Sequence, residues 1–374
     1  MNSSDFQTPP VVRHPGVFGA SAIAHPYHLS DPGWPDLWDF TGGGEGIKIG
    51  VADTGVDPQH PELLDALVDA RDFTGSRRSA MDFDGHGTHT SSTIVGRSVG
   101  LAPKAKLYHA KVLGDNGRGS DLTVAAGIRW LVDCGCQIIS LSLGSPQPSR
   151  IIQAAVRAAR DAGVLVFAAS GNEGASESSC PACFDDCVAS VGAVDQSFNL
   201  ARFSNRGISV DVVGYGVEVV AAVPHGAYQA MSGTSMATPY VAGVAANRLS
   251  AELRHRGRLM TTHFGQLRSY TDDVKDLGAV GRDDKFGWGF PDAAKVVRRN
   301  LATDAEPPAP DLEPIPEPEP KPPIYSIDNL ALRGEVNGIS GRLKLHFEPD
   351  QIAQPIGQTA EGYNVFFSGK LKEV

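Results

Sequence analysis

Apolar, β-branched runs recur along the first half of the chain, at residues 47–52, 105–113, 137–143, 164–169 and 188–194. Runs with little polar alternation are those of strands buried on both faces, as in parallel sheets. Helical stretches fall between them, at 121–134, with an N-cap signal at Ser120 or Asp121, and at 150–161. Strand and helix alternate, which predicts an α/β fold: a doubly wound, mostly parallel sheet with helices on both faces. A short helical stretch, 35–40, is anchored by Trp34 and Trp38 and ended by Gly42-Gly43-Gly44. A small-residue turn, 232–239, runs into another apolar helical run, 240–246. From 252 to about 300 the pattern reads as helical and peripheral, with a last helix at 293–299.

Both ends of the chain differ from this pattern. Residues 1–30 are rich in Pro, His and small residues without a clear period, and read as an irregular arm. Residues 303–323 are dense in Pro and Glu and predict an extended, semi-rigid linker. Beyond it, 324–374 reads as a small β segment: Leu343, Leu345 and Phe347 alternate with Lys344 and His346, and 363–367 is a second strand candidate. The organisation expected is therefore an arm at 1–30, a main domain at 31–302, the linker, and the β segment.

Composition narrows the function. The formal charge is −10, partly from the acidic linker, and no basic stripe is present, so nucleic acid is not an expected partner. No apolar run is long enough to span a membrane. The first residues lack a basic stretch followed by an apolar one, so a cytoplasmic location is expected. The five cysteines are expected to be reduced thiols.

Four stretches carry candidate chemistry. Ser235 falls at or near a helix N-terminus, where free backbone N–H groups favour negative charge. It would serve equally as a helix cap. His86, in Asp84-Gly85-His86-Gly87-Thr88-His89, is flanked by glycines at a loop-to-helix junction. His86 with His89 has a zinc-like spacing, but no third ligand accompanies it. Asp53 ends the first strand, and Asn172 lies in Ser170-Gly171-Asn172-Glu173 after another; sites of doubly wound sheets lie beyond such strand ends. Each is also an ordinary turn residue. Together they supply an acid, a base, an amide and a nucleophile in the order Asp, His, Asn, Ser.

The motifs around these residues, 51–57, 84–89, 169–174 and 233–239, resemble those of the subtilisin-like serine protease family, and the similarity spans roughly residues 34–300. The resemblance implies a serine endopeptidase in which Ser235 is the nucleophile, His86 the general base, Asp53 the residue orienting His86, and Asn172 the oxyanion-hole donor. It implies an extended protein or peptide substrate bound along Ser142-Leu143-Gly144 and along Gly117-Arg118-Gly119, with Glu173 near the primary pocket. No cofactor is needed for this chemistry. Structural calcium is a separate question: the loop at 94–103 is short where many relatives wrap a calcium ion, and Asp57, Asp82 and Asp84 remain as oxygen donors. Two other readings use the same residues, a silent binding module and a transpeptidase.

The chain departs from the family pattern at Thr90-Ser91-Ser92, where small apolar residues are usual, at Tyr240, and at Gly214-Tyr215-Gly216. Cys180, Cys183 and Cys187 have a metal-like spacing beside the expected specificity pocket, and a zinc or disulfide role for the trio stands beside the reduced-thiol reading. The layout resembles the intracellular branch of the family, with a short N-terminal extension. Residues 11–28 are expected to lie over the cleft and restrain activity.

Overall fold

The computed structural model describes residues 5–18, 26–30, 33–259, 273–298, 301, 333–336 and 343–346. The chain divides into two compact units, Met1–Ala305 and Glu306–Val374. The first unit opens with β1 (Asp5–Gln7), β2 (Val12–Phe18), α1 (Tyr27–Ser30), α2 (Trp34–Thr41), β3 (Lys48–Asp53) and β4 (Leu67–Asp72). It continues through α3 (His86–Val95), β5 (Lys106–Lys111), β6 (Arg118–Ser120), α4 (Asp121–Asp133), β7 (Ile138–Leu141), α5 (Arg150–Asp161), β8 (Leu165–Ala169) and β9 (Ala189–Val194). It closes with β10 (Val210–Tyr215), β11 (Val219–Val223), β12 (Ala227–Ser232), α6 (Thr234–Arg256), β13 (Val274–Lys275), β14 (Phe290–Pro291) and α7 (Ala293–Arg298).

Seven strands form the main sheet in the order β10-β9-β8-β7-β3-β5-β4. Every neighbouring pair is parallel. β7, β8 and β9 are buried along their whole lengths, which is why their sequences show no polar alternation. The chain winds from β3 to β4 and β5 on one side, then crosses to β7 and onward on the other. The sheet therefore switches direction at β3 and β7, and a crevice opens beyond their carboxyl ends. Asp53 is the last residue of β3.

α6 is the buried helix of the unit, covered from Thr234 to Glu252. Its small residues let it lie close against α3, β8, β9 and β10. Tyr240 and Tyr215, two of the departures in sequence, meet edge to face at 5.2 Å, and Phe290 packs on both. They fill one space together, so the two departures compensate in packing.

The structure alters several expectations. The arm is not irregular: β1 and β2 are strands, joined to β6 and β12. Residues 210–232 supply three strands that the sequence pattern did not separate from loops. The stretch 273–291 is turns and a two-residue strand pair rather than helix, because its Gly and Asp residues close local turns. Cys180 and Cys183 form a disulfide rather than staying reduced: the turn between them brings their Cα atoms to 4.7 Å, within bridging range. Cys134, Cys136 and Cys187 are free thiols.

In the second unit, β15 (Arg333–Val336) pairs antiparallel with β16 (Leu343–His346). Phe347, the strand candidate at 363–367 and the linker at 303–323 lie outside the described residues. No helix among the described residues is long and apolar enough to cross a membrane.

Candidate active site

Asp53 and His86 form a fully buried pair, with His86 Nδ1 2.7 Å from Asp53 Oδ1. The same oxygen accepts the Thr54 N–H at 2.7 Å. Burial favours a neutral carboxyl at Asp53, but the His86 charge and hydrogen bond outweigh it and hold the group below its ordinary range. Burial likewise opposes an imidazolium at His86, yet Asp53 outweighs it and the His86 pKa is raised. Since Nδ1 faces the carboxylate, Nδ1 carries the proton and Nε2 is the basic nitrogen.

His86 is the first residue of α3, and its aim depends on how that helix end is satisfied. The N-cap is Gly85, at φ 96°, a left-handed conformation suited to glycine, and it offers no side-chain cap. Other groups take the orphan donors. Asp84 Oδ1 accepts from His86 N, Thr54 Oγ1 from Gly87 N, and Asp82 Oδ2 from Thr88 N. Asp82 also accepts from Thr54 Oγ1, Gly85 N and Thr88 Oγ1, and it is fully buried. Gly87 is required for close approach: a Cβ there would stand 2.1 Å from the Gly55 carbonyl oxygen and 3.2 Å from Asp53 Cβ. The helix thus locks onto the turn after β3, which sets the Asp53–His86 distance.

Ser235 is the second residue of α6 and is fully buried. Asn172 lies beside the same helix end. Its Oδ1 accepts two hydrogen bonds from Thr234, from N and from Oγ1, each at 2.8 Å. Two donors on one atom fix the amide's orientation and leave Nδ2 to face the crevice. Ser142 Oγ donates to the Ser235 carbonyl at 2.8 Å. Among the described residues, neither His86 Nε2 nor Ser235 Oγ has a hydrogen-bond partner.

The arm crosses this region. β1 pairs antiparallel with β6, placing Phe6 opposite Gly119 and Gln7 opposite Arg118. Gln7 also exchanges both backbone hydrogen bonds with Gly144. The arm strand therefore lies between the two backbone edges that the sequence singles out, 117–119 and 142–144. Phe6 is fully buried, in the cluster that holds Leu113, Val124 and Leu143. Asn172 Nδ2 donates to the Pro10 carbonyl at 2.9 Å. Val12 pairs with Ser232, His14 Nε2 lies 2.7 Å from Ser232 Oγ, and Arg13 bonds Asp84 through both its carbonyl, at 2.8 Å, and its carboxylate, at 2.6 Å. One short segment thus touches residues flanking both His86 and Ser235. It begins earlier than the 11–28 expected, because β1 supplies its anchoring half.

The remaining candidates divide. Glu173 sits on the Asn172 turn and is held by Asn205, whose Nδ2 bonds Glu173 Oε2 at 2.8 Å. His89 turns away from His86, with Nε2 facing the carbonyls of Val219 and Gln229. Among the described residues no group of three His, Cys, Asp or Glu is placed to hold a metal ion. Asp57 spends its oxygens on the backbone N–H groups of Gln59 and His225. Sequence reading took Asp82 for a possible oxygen donor to a cation, marked Thr90 only as a departure from the family pattern, and gave no role to Thr54, Thr234 or Asn205. For Asp82 the signal was an Asp just ahead of a helix whose N-cap is glycine.

Chemically, the arrangement is suited to acyl transfer: a basic imidazole oriented by a carboxylate, a serine hydroxyl at a helix start, and an amide donor facing a carbonyl. Comparison with known proteins gives the class a family. Residues 44–289 match the subtilase family, peptidase S8. The chain is 45% identical to Subtilisin BL of Lederbergia lenta over 251 residues, 64% of this chain and 92% of that one. It is 44% identical to Subtilisin Savinase of Lederbergia lenta over 251 residues, with the same coverage of 64% and 92%. It is 38% identical to an intracellular serine protease of Paenibacillus polymyxa over 226 residues, 57% of this chain and 69% of that one. The chain belongs to the subtilase family and is a subtilisin-like serine endopeptidase, acting on peptide or protein substrates.

Proposed function

We propose that hydrolysis is carried by Ser235, His86, Asp53 and Asn172. Ser235 Oγ attacks the scissile carbonyl while His86 Nε2 takes its proton. Asp53 keeps the proton of the neutral ring on Nδ1 and stabilises the imidazolium that forms. The oxyanion receives Asn172 Nδ2 and the Ser235 N–H, a donor with no intrahelical acceptor at that place in α6. His86 then protonates the leaving amine, and water repeats the sequence on the acyl-enzyme. The observation that carries this reading is Asn172 Nδ2, which already holds a peptide carbonyl, that of Pro10, at 2.9 Å.

Substrate is read as an extended strand between residues 117–119 and 142–144, the place Phe6 and Gln7 occupy. Glu173, engaged by Asn205 through one oxygen, is assigned to the primary pocket, where it favours basic side chains. The arm, Asp5–Phe18, is an internal occupant of the cleft that restrains activity until it is cut or leaves. Pro9 and Pro10, which lack N–H groups, interrupt the arm between β1 and β2 where it faces the site, which makes it a poor substrate for its own cleft.

The test is a fluorophosphonate probe applied to the full chain beside Ser235→Ala, with the N-terminus read by mass. Labelling of the wild type alone is expected, with trimming of the arm only where Ser235 is present. A folded wild type that never labels, even after the arm has been trimmed by a second protease, removes the assignment of Ser235.

A further inference from the structure

We propose that Thr90 is a positioning residue for the reaction, holding the second oxygen of the Asp53 carboxylate and so setting how strongly Asp53 draws on His86. The inference rests on the roles given above to Asp53 and His86.

The geometry begins with the carboxylate's two oxygens. Oδ1 takes the Thr54 N–H and faces His86 Nδ1, both at 2.7 Å. Oδ2 takes the Thr90 hydroxyl at 3.1 Å. His86 and Thr90 are four residues apart in α3, hence on one face a turn apart. One helix face therefore grips both oxygens of one carboxylate. The Thr90 hydrogen is shared with the Gly87 carbonyl, also at 3.1 Å, so the contact is adjustable rather than saturated. The neighbouring hydroxyls do other work. Ser91 faces His109 Nδ1 at 3.0 Å, while Ser92 and Thr93 bond back to the His89 carbonyl. In the run from 90 to 93, Thr90 alone reaches the carboxylate. A residue of the same shape without a hydroxyl would leave Oδ2 buried without this donor, a costly state for an ionised group.

The charged and titratable groups around the pair are few. α3 contributes His89, the loop before it Asp82 and Asp84, β5 His109 and Lys111, and the arm Arg13 through Asp84. Burial first of all pulls His89 to about 3 and His109 to about 4, so both stay neutral where His86 titrates. Lys111 is tied to Asp115 at 2.8 Å and to the Met81 carbonyl. The acid limb of activity therefore reports the Asp53–His86 pair.

The test compares Thr90→Val, Thr90→Ser and wild type, all as full-length chains, so that the arm acts equally on each. Without the donor, the Asp53 charge is less dispersed, and His86 keeps its proton to higher pH. Thr90→Val is expected to lower kcat about ten-fold with KM little changed, and to move the acid limb of kcat/KM upward by about half a unit. Thr90→Ser should restore both. In the Ser235→Ala background, the downfield proton resonance of His86 Nδ1–H should shift in Thr90→Val and return in Thr90→Ser. Where Thr90→Val does not fold, Thr90→Ala removes the hydroxyl without bulk and answers the same question. An unmoved limb and resonance in a folded variant lacking the hydroxyl overturn the proposal. So does a loss of kcat that Thr90→Ser fails to restore. A wild type that does not react with the probe counts against the assignment of Ser235 instead, and the resonance still reads the Thr90 contact.

Discussion

Ser142 donates its hydroxyl hydrogen to the carbonyl of Ser235 at 2.8 Å, and that carbonyl is the one Pro239 leaves without a helical partner. Residue 239 would ordinarily give its N–H to the carbonyl four residues earlier; proline has none to give. A helix with Ser235 as its second residue thus carries a broken bond in its second turn, and Ser142, just past the end of β7, repairs it. Ser142→Ala strands a buried carbonyl, which costs about 1–3 kcal/mol. The expected result is a lower denaturation midpoint together with a lower kcat, since the same residue ties Ser235 to the substrate edge. Denaturant melts and peptide hydrolysis measured on one preparation check it. Unchanged stability would mean that water or a shifted helix satisfies the carbonyl instead.

The coupling between Asp53 and His86 fixes the pH response. His86 is raised above its ordinary 6.5, with the Asp53 charge overcoming the penalty of burial. Hydrolysis needs the neutral ring, so kcat/KM should climb with pH through a value above 6.5 rather than at or below it. The same shift is a stability statement. A histidine raised in the folded state stabilises fully below its unfolded pKa and loses that contribution as pH rises through the folded one. Asp53→Asn should bring the His86 titration down and cut kcat by orders of magnitude, about 10⁴-fold where this replacement leaves the ring in the wrong tautomer. A His86 titration by NMR that stays at 6.5 or lower would contradict the assignment.

His28, His89 and His109 behave in the opposite sense. All three are fully buried, and burial pulls them down to about 4, about 3 and about 4. Neutral in the fold, they gain protons only when the chain opens. Between pH 6.5 and 4 the unfolded chain binds more protons, so stability falls as pH falls, with up to three protons taken up on unfolding. Denaturant melts from pH 7 to 4.5 should show this slope, and His109→Gln should flatten part of it. A stability that is level across that range would show that these rings reach water.

Much of this was legible in the residues. The buried parallel strands announce themselves as unbroken apolar runs, and Asp53, His86, Asn172 and Ser235 stand in short motifs that need no distant context. What was not legible is pairing at long range. Nothing in 5–18 says that Phe6 will meet Gly119 or that Pro10 will face Asn172, because a three-residue strand has no period of its own. Asp82 and Thr90 were singled out, but their partners were missed for a related reason. Their side chains are polar and their surroundings look exposed in sequence, yet both are fully buried and satisfied by partners that only the fold supplies. Cys180 and Cys183 were read as thiols from the look of the N-terminus, a feature unrelated to the turn that joins them.

In the oxyanion role proposed above, Asn172 depends on its orientation, and Thr234 holds that orientation through two bonds to Oδ1. Asn172→Ala should reduce kcat by about 10²–10³-fold with KM little changed; that size is the one known for a subtilisin oxyanion donor, not one obtained from this structure. Thr234→Val is the more discriminating change. It removes the hydroxyl bond to Oδ1 and keeps the backbone one, each 2.8 Å. A loss of several-fold in kcat, about the worth of one neutral hydrogen bond, is expected. Full activity in Thr234→Val would show that the backbone N–H suffices to aim the amide.

The arm offers two handles of unequal strength. Phe6 is wholly buried, whereas Arg13 and Asp84 form a pair at 2.6 Å whose side chains are 41% and 19% exposed. A buried aromatic removed to alanine costs about 3–5 kcal/mol. An exposed ion pair is worth about 1 kcal/mol or less. Phe6→Ala should therefore loosen the arm far more than Arg13→Gln. Initial labelling by the fluorophosphonate probe is expected to rise at least about ten-fold in Phe6→Ala and no more than about five-fold in Arg13→Gln. Salt should speed labelling of the wild type slightly and leave Arg13→Gln unaffected. The reverse ranking would place the restraint at the Asp84 end of the cleft. Equal labelling of all three chains would mean that the arm from Asp5 to Phe18 exchanges too quickly to restrain the site at all.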